Sequence, residues 1–373
     1  MKKSLVPLLI VSLLVGCNTM RDNLRSYEND LRGGSYHSTA VTTLKLAEKK
    51  NGDELLWRLM AGNSSALAGD YQMSIDQFDL AEDIFIKNDN RSVFSSTGQN
   101  TRAMLVNDKE ITYKSRYSTI SFTVNNRLMT LNNVQYYLAR PIVKNQYSFL
   151  IGKSDFELIL EPILRPTIIN PKRPVRTILI DPGHGGKDVG AVNGKDYEKD
   201  INLAVALRLA NKLSARGFRI YMTRNKDSEL SLDKRTRFAN TIDADLFISI
   251  HCNSASPSAN GLETYIATPR NDPPVGSTTV YKDNCPANKY DKANAYLAFY
   301  TQRSILQRTG VADRGVRRKR YYVIRNTNCP SMLIEIGFIS SKFELANLKN
   351  PVYQEKITDG IVEGVLKYRE AVK

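Results

Sequence analysis

From residue 177 onward, short apolar runs alternate with segments whose apolar residues recur at helical spacing. Thr177–Ile180 is β-rich and bounded by turn residues, which predicts a buried parallel strand. Ile201, Leu203, Val205 and Leu209 then mark an amphipathic helix over Tyr197–Ala215. The same reading gives strand Phe218–Thr223, helix Ser231–Thr241, strand Asp245–His251, strand Gly261–Ala267 and helix Ala293–Gly310. Strands Tyr321–Arg325 and Ser331–Ile336 precede helices over Lys342–Leu348 and Val352–Tyr368. Such alternation predicts an α/β domain, a mostly parallel sheet with helices on both faces, over residues 177–373.

The first half has a different texture. Residues 1–17 have the layout of a signal peptide, with Lys2 and Lys3 before the apolar run Leu5–Val15. That run is too short to span a bilayer, where about 20 residues are needed. Leu14-Val15-Gly16-Cys17 resembles a bacterial lipobox, which implies lipidation of Cys17 and anchoring in the cell envelope. By the sorting rule of enteric lipoproteins, Asn18 after that cysteine implies the outer membrane, facing the periplasm. From Met20 to Ile86, Gly34-Ser35-Tyr36 recurs as Gly69-Asp70-Tyr71 and Leu46-Ala47-Glu48 as Leu80-Ala81-Glu82, at spacings of 35 and 34 residues. That is the period of tetratricopeptide helix pairs. Asn100–Asp108 and Met129–Arg140 read as further helices, and Ile120–Val124 as a strand. Residues 18–147 are therefore expected to form an all-α tetratricopeptide-like domain, either a groove for a protein partner or a spacer off the membrane. Residues 148–176 are expected to link the two domains: Ser148–Leu160 is apolar and reads as a strand or a short helix, and Pro162, Pro166, Pro171 and Pro174, with Lys172, Arg173 and Arg176, predict a stiff, extended, basic connector after it.

The chain holds only 3 histidines, and two of them, His184 and His251, fall just beyond the carboxyl ends of predicted strands. Open α/β sheets place their chemistry there. Glu198 opens the first helix, and Glu335 interrupts the apolar strand Met332–Ile336, where an ionised carboxylate is costly without a cation or a hydrogen-bond network. Catalytic zinc takes three His or carboxylate ligands and keeps a fourth position open. His184, Glu198 and His251 supply such a set, and Glu335 a base beside it. Asp181 and Asp188 are placed to orient a ligand imidazole or to stabilise the turn they sit in.

Ile180–Ala191, Tyr197–Ile201, Ser249–Ser254 and Leu333–Ser340, in that order, resemble the zinc-dependent N-acetylmuramoyl-L-alanine amidases of the amidase-3 type. The resemblance spans Thr177 to Tyr368 and includes Arg314-Gly315-Val316, Tyr321–Arg325 and Gly337–Ser340. It implies that His184, Glu198 and His251 bind zinc, that Glu335 is the catalytic glutamate, and that the substrate is peptidoglycan. Arg235 matches a family arginine, expected to brace the site or to pair with a surface carboxylate, and Glu263 either lines the cleft or is an ordinary strand acid. Ser341 stands where many members carry Asn, away from the metal chemistry. Some such amidases cover the zinc with a long helical insert; here Thr268–Asn294 is short and reads as a loop.

Net charge is +15, and from Lys172 onward 33 Lys and Arg against 21 Asp and Glu leave +12 of it. The run Arg314, Arg317, Arg318, Lys319 and Arg320 is the densest. In an exported, lipidated chain such a patch faces anionic wall or headgroups, or is simply solvated; nucleic acid is excluded by compartment. Beyond Cys17 an odd number of cysteines remains, Cys252, Cys285 and Cys329, which leaves room for one disulfide and a free thiol. Two other functions stay open on the residues alone. One is a zinc peptidase acting within the stem peptide; the other is a non-catalytic scaffold holding cell wall.

Overall fold

A computed structural model describes residues 102–107, 110–114, 118–144, 149–171 and 173–373. The leader, Cys17 and the Met20–Ile86 repeats lie outside these residues. The chain divides into two compact units, one comprising residues 1–127 and 141–153, the other 128–140 and 154–373.

The described part of the first unit is β-structure. Strands β1 (Arg102–Asn107), β2 (Glu110–Lys114) and β3 (Thr119–Thr123) form an antiparallel meander, and β6 (Val143–Lys144) pairs with β7 (Phe149–Leu150). The helix expected over Asn100–Asp108 is therefore β1. Likewise the helix expected over Met129–Arg140 is, in the second unit, a hairpin of β4 (Leu128–Leu131) and β5 (Val134–Tyr137). The reason is legible in retrospect. Met129, Leu131, Val134 and Tyr136 alternate with polar or half-buried neighbours, and Asn132 and Asn133 both take positive φ, 48° and 65°, as a two-residue hairpin turn requires. Helical turns over Lys153–Asp155 and Phe156–Leu160 fall in the apolar Ser148–Leu160, as one of its two readings has it, and Glu161–Leu164 carries the helical turns into the start of the Pro-rich connector.

The second unit is the expected α/β domain. Its strands are β8 (Thr177–Pro182), β9 (Val192–Asn193), β10 (Asp196–Tyr197), β11 (Arg219–Met222), β12 (Leu246–Asn253), β13 (Leu262–Ile266), β14 (Asp313–Arg318) and β15 (Ser331–Phe338). β9 and β10 form a separate two-stranded sheet, and the main sheet of this unit runs β4-β5-β14-β13-β15-β12-β8-β11. Pairing is parallel throughout β11-β8-β12-β15 and between β13, β14 and β5; only β13–β15 and β4–β5 are antiparallel. Helices α1 (Glu198–Ser214), α3 (Asp291–Thr309) and α5 (Pro351–Ala371) cover one face, and α2 (Leu232–Thr241) covers the other. Helix α4 (Lys342–Lys349) links β15 to α5.

Two segments depart from the hydrophobic pattern. Tyr322–Arg325 is one helical turn, not a strand, because it drops Val323 and Ile324 into the cluster of Leu179, Phe247, Tyr265 and Leu333 beneath α2. Tertiary packing overrides the β-preference of so short a run. Conversely, the charge-dense Asp313–Arg318 is a strand. Arg318 is 1% exposed and forms ion pairs with the buried Asp155 and, at 3.2 Å, with Asp272. Arg320 pairs with Asp283 at 2.8 Å, and Arg314 with Glu263 at 2.6 Å. The basic run is thus neither a solvated face nor a free anion-binding patch over most of its length. Cys252, Cys285 and Cys329 are all free and buried.

Asp155 also accepts backbone N–H groups from Ala139 and Arg140, at 2.6 and 3.1 Å, so Arg318 ties the end of the β4–β5 hairpin to the central sheet. Removing one partner of a buried ion network strands the others, at a cost of about 3–5 kcal/mol. Arg318→Ala is expected to lose stability by that amount in denaturant unfolding, whereas Arg320→Ala, whose only carboxylate partner is the exposed Asp283 and whose other acceptors are the neutral Thr268 and Asp283 carbonyls and Asn288, loses less.

Candidate metal centre

The site is assembled at the carboxyl ends of β8 and β12. Strand alternation sends Leu179 and Asp181, Phe247, Ser249 and His251, and Leu333 and Glu335 to the α2 side of the sheet. The lower members of each row fill the core, and the upper ones stand where α2 no longer covers the sheet. Cys252 falls on the opposite side and is buried.

His184 sits in the turn after β8 at φ +62°, a left-handed conformation that a non-glycine residue keeps only when its surroundings enforce it. The enforcement is visible. Arg235 donates to the carbonyl oxygens of His184 and Pro182, both at 2.8 Å, and to the carboxylate of Asp181 at 2.7 Å. Arg224 donates to the carbonyls of Gly183 (2.8 Å), Pro182 (3.1 Å) and Lys199 (2.8 Å). Asp181 does not orient an imidazole; it also accepts from Thr223 and Ser249, at 2.7 and 2.8 Å, as the buried anchor under the turn. Asp188 accepts from His184 Nδ1 at 2.8 Å, which leaves Nε2 facing Glu198 at 3.3 Å.

Glu198 is the first residue of α1, where the helix dipole favours an anion. It is buried, yet its oxygens accept from the backbone N–H of Ala191 (2.9 Å) and Cys252 (3.1 Å), from Asn202 Nδ2 (3.2 Å) and from His251 Nδ1 (3.0 Å). Burial opposes its ionisation, but the two imidazoles outweigh burial and hold the carboxyl well below the usual range. Burial lowers His184 in turn, and Glu198 and Asp188 more than offset it, carrying the imidazole up to about 8. Ligand atoms of His184, Glu198 and His251 all lie within 4.8 Å of one another. Two imidazoles and a carboxylate at that spacing are a donor set for one metal ion.

Glu335 pairs in register with His251 across β12 and β15. One of its oxygens, Oε2, is buried without a hydrogen-bond partner among the described residues. Burial raises its carboxyl to about 7. Glu263 is next in the row, in register with Glu335. It is saturated by Arg314, Tyr265 and Asn253, so it is a buried strand acid tied to its neighbours.

The residues that the sequence reading missed are Asn202, Arg224, Thr223 and Ser249. Asn202 meets Glu198 one turn away on α1, while Arg224, Thr223 and Ser249 meet carbonyls or carboxylates of the turn that are distant in sequence. Gly183 and Gly190 are also required. A Cβ on Gly183 would lie 2.2 Å from His251 Cε1, and one on Gly190 would lie 2.7 Å from Glu198 Oε2 and His184 Cδ2.

Two outcomes follow for metal binding, measured by competition with a zinc chelator. Asp188→Asn keeps the shape of the His184 contact but weakens the acceptor, and affinity is expected to fall about 10–100-fold. Gly183→Ala drives the His251 ring aside and is expected to abolish tight binding; unchanged affinity in both variants would remove these contacts from the site.

Comparison with known proteins gives the same picture. The family model for N-acetylmuramoyl-L-alanine amidase (amidase-3) matches residues 178–367. The chain is similar to the N-acetylmuramoyl-L-alanine amidase LytC of Bacillus subtilis, 37% identical over 237 residues, which cover 62% of this chain and 42% of LytC. It is also 33% identical, over 209 residues, to the germination-specific N-acetylmuramoyl-L-alanine amidase of the same organism, covering 52% of this chain and 79% of that one. Among solved structures, an N-acetylmuramoyl-L-alanine amidase from Clostridium difficile 630 aligns with 34% identity and a TM-score of 0.46, over 53% of this chain and 98% of that chain. With the match spanning half its length, this chain belongs to the amidase-3 family of N-acetylmuramoyl-L-alanine amidases.

Proposed function

We propose that residues 177–373 hydrolyse the amide between N-acetylmuramic acid and L-alanine in peptidoglycan, with zinc held by His184, Glu198 and His251 and with Glu335 as general base and acid. The observation that carries the reading is the unpartnered, buried Oε2 of Glu335 beside three converging ligands. A buried polar atom with no protein partner calls for a ligand or water.

A zinc ion in that position supplies Lewis-acid polarisation of the scissile carbonyl and acidifies the attacking water. The chain's own residues do the rest. Asp188, Asn202 and the backbone amides of Ala191 and Cys252 hold the ligands in place, so little reorganisation accompanies reaction. Glu335, raised to about 7, accepts the proton of the attacking water and then returns it to the leaving nitrogen of L-alanine. In this reading Cys17 carries the lipid that tethers the enzyme to the outer membrane, and the repeats before residue 87 position it or recruit a protein partner.

Mass spectrometry of digested peptidoglycan tests the assignment. Wild type is expected to release intact stem peptides, and Glu335→Gln to lose activity by at least about 100-fold, the usual scale for a general base, while still binding zinc. Shortened stems would identify a peptidase, and no products a scaffold. The pH profile has a definite sign. Glu335 must be ionised to act, so kcat/KM is expected to fall tenfold per unit on the acid side, with a midpoint at or below about 7. A rate that stays flat down to pH 4 would exclude that role.

A further inference from the structure

Next to the catalytic glutamate the sheet carries a pair of arginines in an arrangement that strand geometry alone would not give. Arg314 and Arg317 are three residues apart on β14, and strict alternation would send them to opposite faces. The register between β13 and β14 slips, however, from Leu262↔Asp313 to Thr264↔Val316, with Gly315 at φ +84° inside the bulge. Both arginines consequently reach the same acid, Glu263, Arg314 through Nε at 2.6 Å and Arg317 through Nη2 at 3.6 Å. Bulges of this kind re-aim side chains beside active sites.

Glu263 neutralises only one of the two. Its oxygens are fully used, with Tyr265 Oη at 2.6 Å and Asn253 Nδ2 at 3.1 Å on Oε2. Arg314 lies over Phe338 at 4.8 Å and Arg317 over Tyr137 at 4.6 Å, so each guanidinium plane is held by an aromatic ring. Arg314 stays 36% exposed. Its two η nitrogens, and Nη1 of Arg317, donate no hydrogen bond among the described residues. The result is a rigid fork with one unit of uncompensated positive charge. Arg314 lies in the bulge beside Glu263, at the end of the row that runs through Glu335 to His251, and Arg317 pairs with Tyr265 one step along β13.

Building on the amidase reading, we propose that Arg314 and Arg317 form a subsite for a carboxylate of the stem peptide, on the peptide side of the scissile amide. A fixed guanidinium fork matches a carboxylate in a two-point hydrogen bond. β14 stands two strand spacings from β15, about 10 Å. An extended peptide covers that in about three residues, fewer when the arginine side chains lean back toward Glu335. The carboxylate read is therefore carried within the first three residues of the stem. Glu263, in this account, is a positioning residue that aims the fork.

The test compares soluble disaccharide-peptide substrates bearing free carboxylates with the same substrates converted to primary amides, with kcat and KM measured separately. In wild type, amidation is expected to raise KM about 10–100-fold with a small change in kcat, the range for a hydrogen bond to a charged group. Arg314→Gln and Arg317→Gln are expected to raise KM for the free-carboxylate substrate by a similar factor and to collapse the discrimination to within about twofold; Arg314→Lys, which keeps charge but not the fork, falls between. Arg317→Gln leaves the closer Arg314–Glu263 pair intact, so it answers the question should Arg314→Gln unfold. Equal losses on both substrates, or a wild type indifferent to amidation, would overturn the subsite. A wild type that releases stem peptide from neither substrate removes the amidase reading, and the subsite with it.

Discussion

A carboxylate buried at the first turn of α1 governs the arrangement of this domain's chemistry. Glu198 has almost no access to water, yet it is held ionised because two imidazoles, two backbone amides and Asn202 converge on it. That convergence fixes more than one residue. The turn after β8 must bring His184 round, the end of β12 must present His251 and the N–H of Cys252, and α1 must start where it does. Removing one imidazole leaves a buried charge less compensated, so the ligands stabilise one another before any cation is considered.

The sheet supplies the remaining alignment. Parallel pairing of β8, β12 and β15 puts Asp181, Ser249, His251 and Glu335 on one side of the sheet, with an apolar core below them. The four residues span 154 positions of sequence, from Asp181 to Glu335, and yet are brought together in space, which is the advantage of placing a site at strand ends. Arginine then does for the irregular backbone what hydrogen bonding does for the strands. Arg224 and Arg235 collect the carbonyls of the His184 turn, which no secondary structure satisfies. Arg318 performs the same task at the other edge of the domain, with carboxylates.

Much of this was legible in the sequence, and the parts that were not share a cause. Where apolar residues run continuously, as in Thr177–Ile180, or recur at helical spacing, as in Ile201–Leu209, the pattern locates the element; Glu335 stands out because Met332, Leu333, Ile334 and Ile336 surround it. The pattern misled where polar residues are buried or apolar ones serve a turn. Arg318 is as buried as a core leucine, so a strand looked like a surface patch, and Tyr322–Arg325 looked like a strand because its apolar residues fill a cluster from one helical turn. The Leu128–Tyr137 hairpin reads as a helix because Leu128, Leu131, Val134 and Leu138 also fit helical spacing, and only the Asn132-Asn133 turn separates the two patterns. Arg224 leaves no trace in the sequence, since the carbonyls it collects are ones that only the fold brings near, and Asn202 is an ordinary polar residue one turn along α1 until Glu198 is known to need a donor.

The proposed chemistry requires one cation shared by His184, Glu198 and His251, which come from the turn after β8, the start of α1 and the end of β12. Anomalous diffraction at the zinc edge from crystals of the full chain grown with zinc tests this most directly. A single strong peak within about 2.0–2.2 Å of one atom each of His184, Glu198 and His251, with the Glu335 carboxylate facing it, is the expected result. A peak held by other residues, or no peak here at saturating zinc, would contradict it.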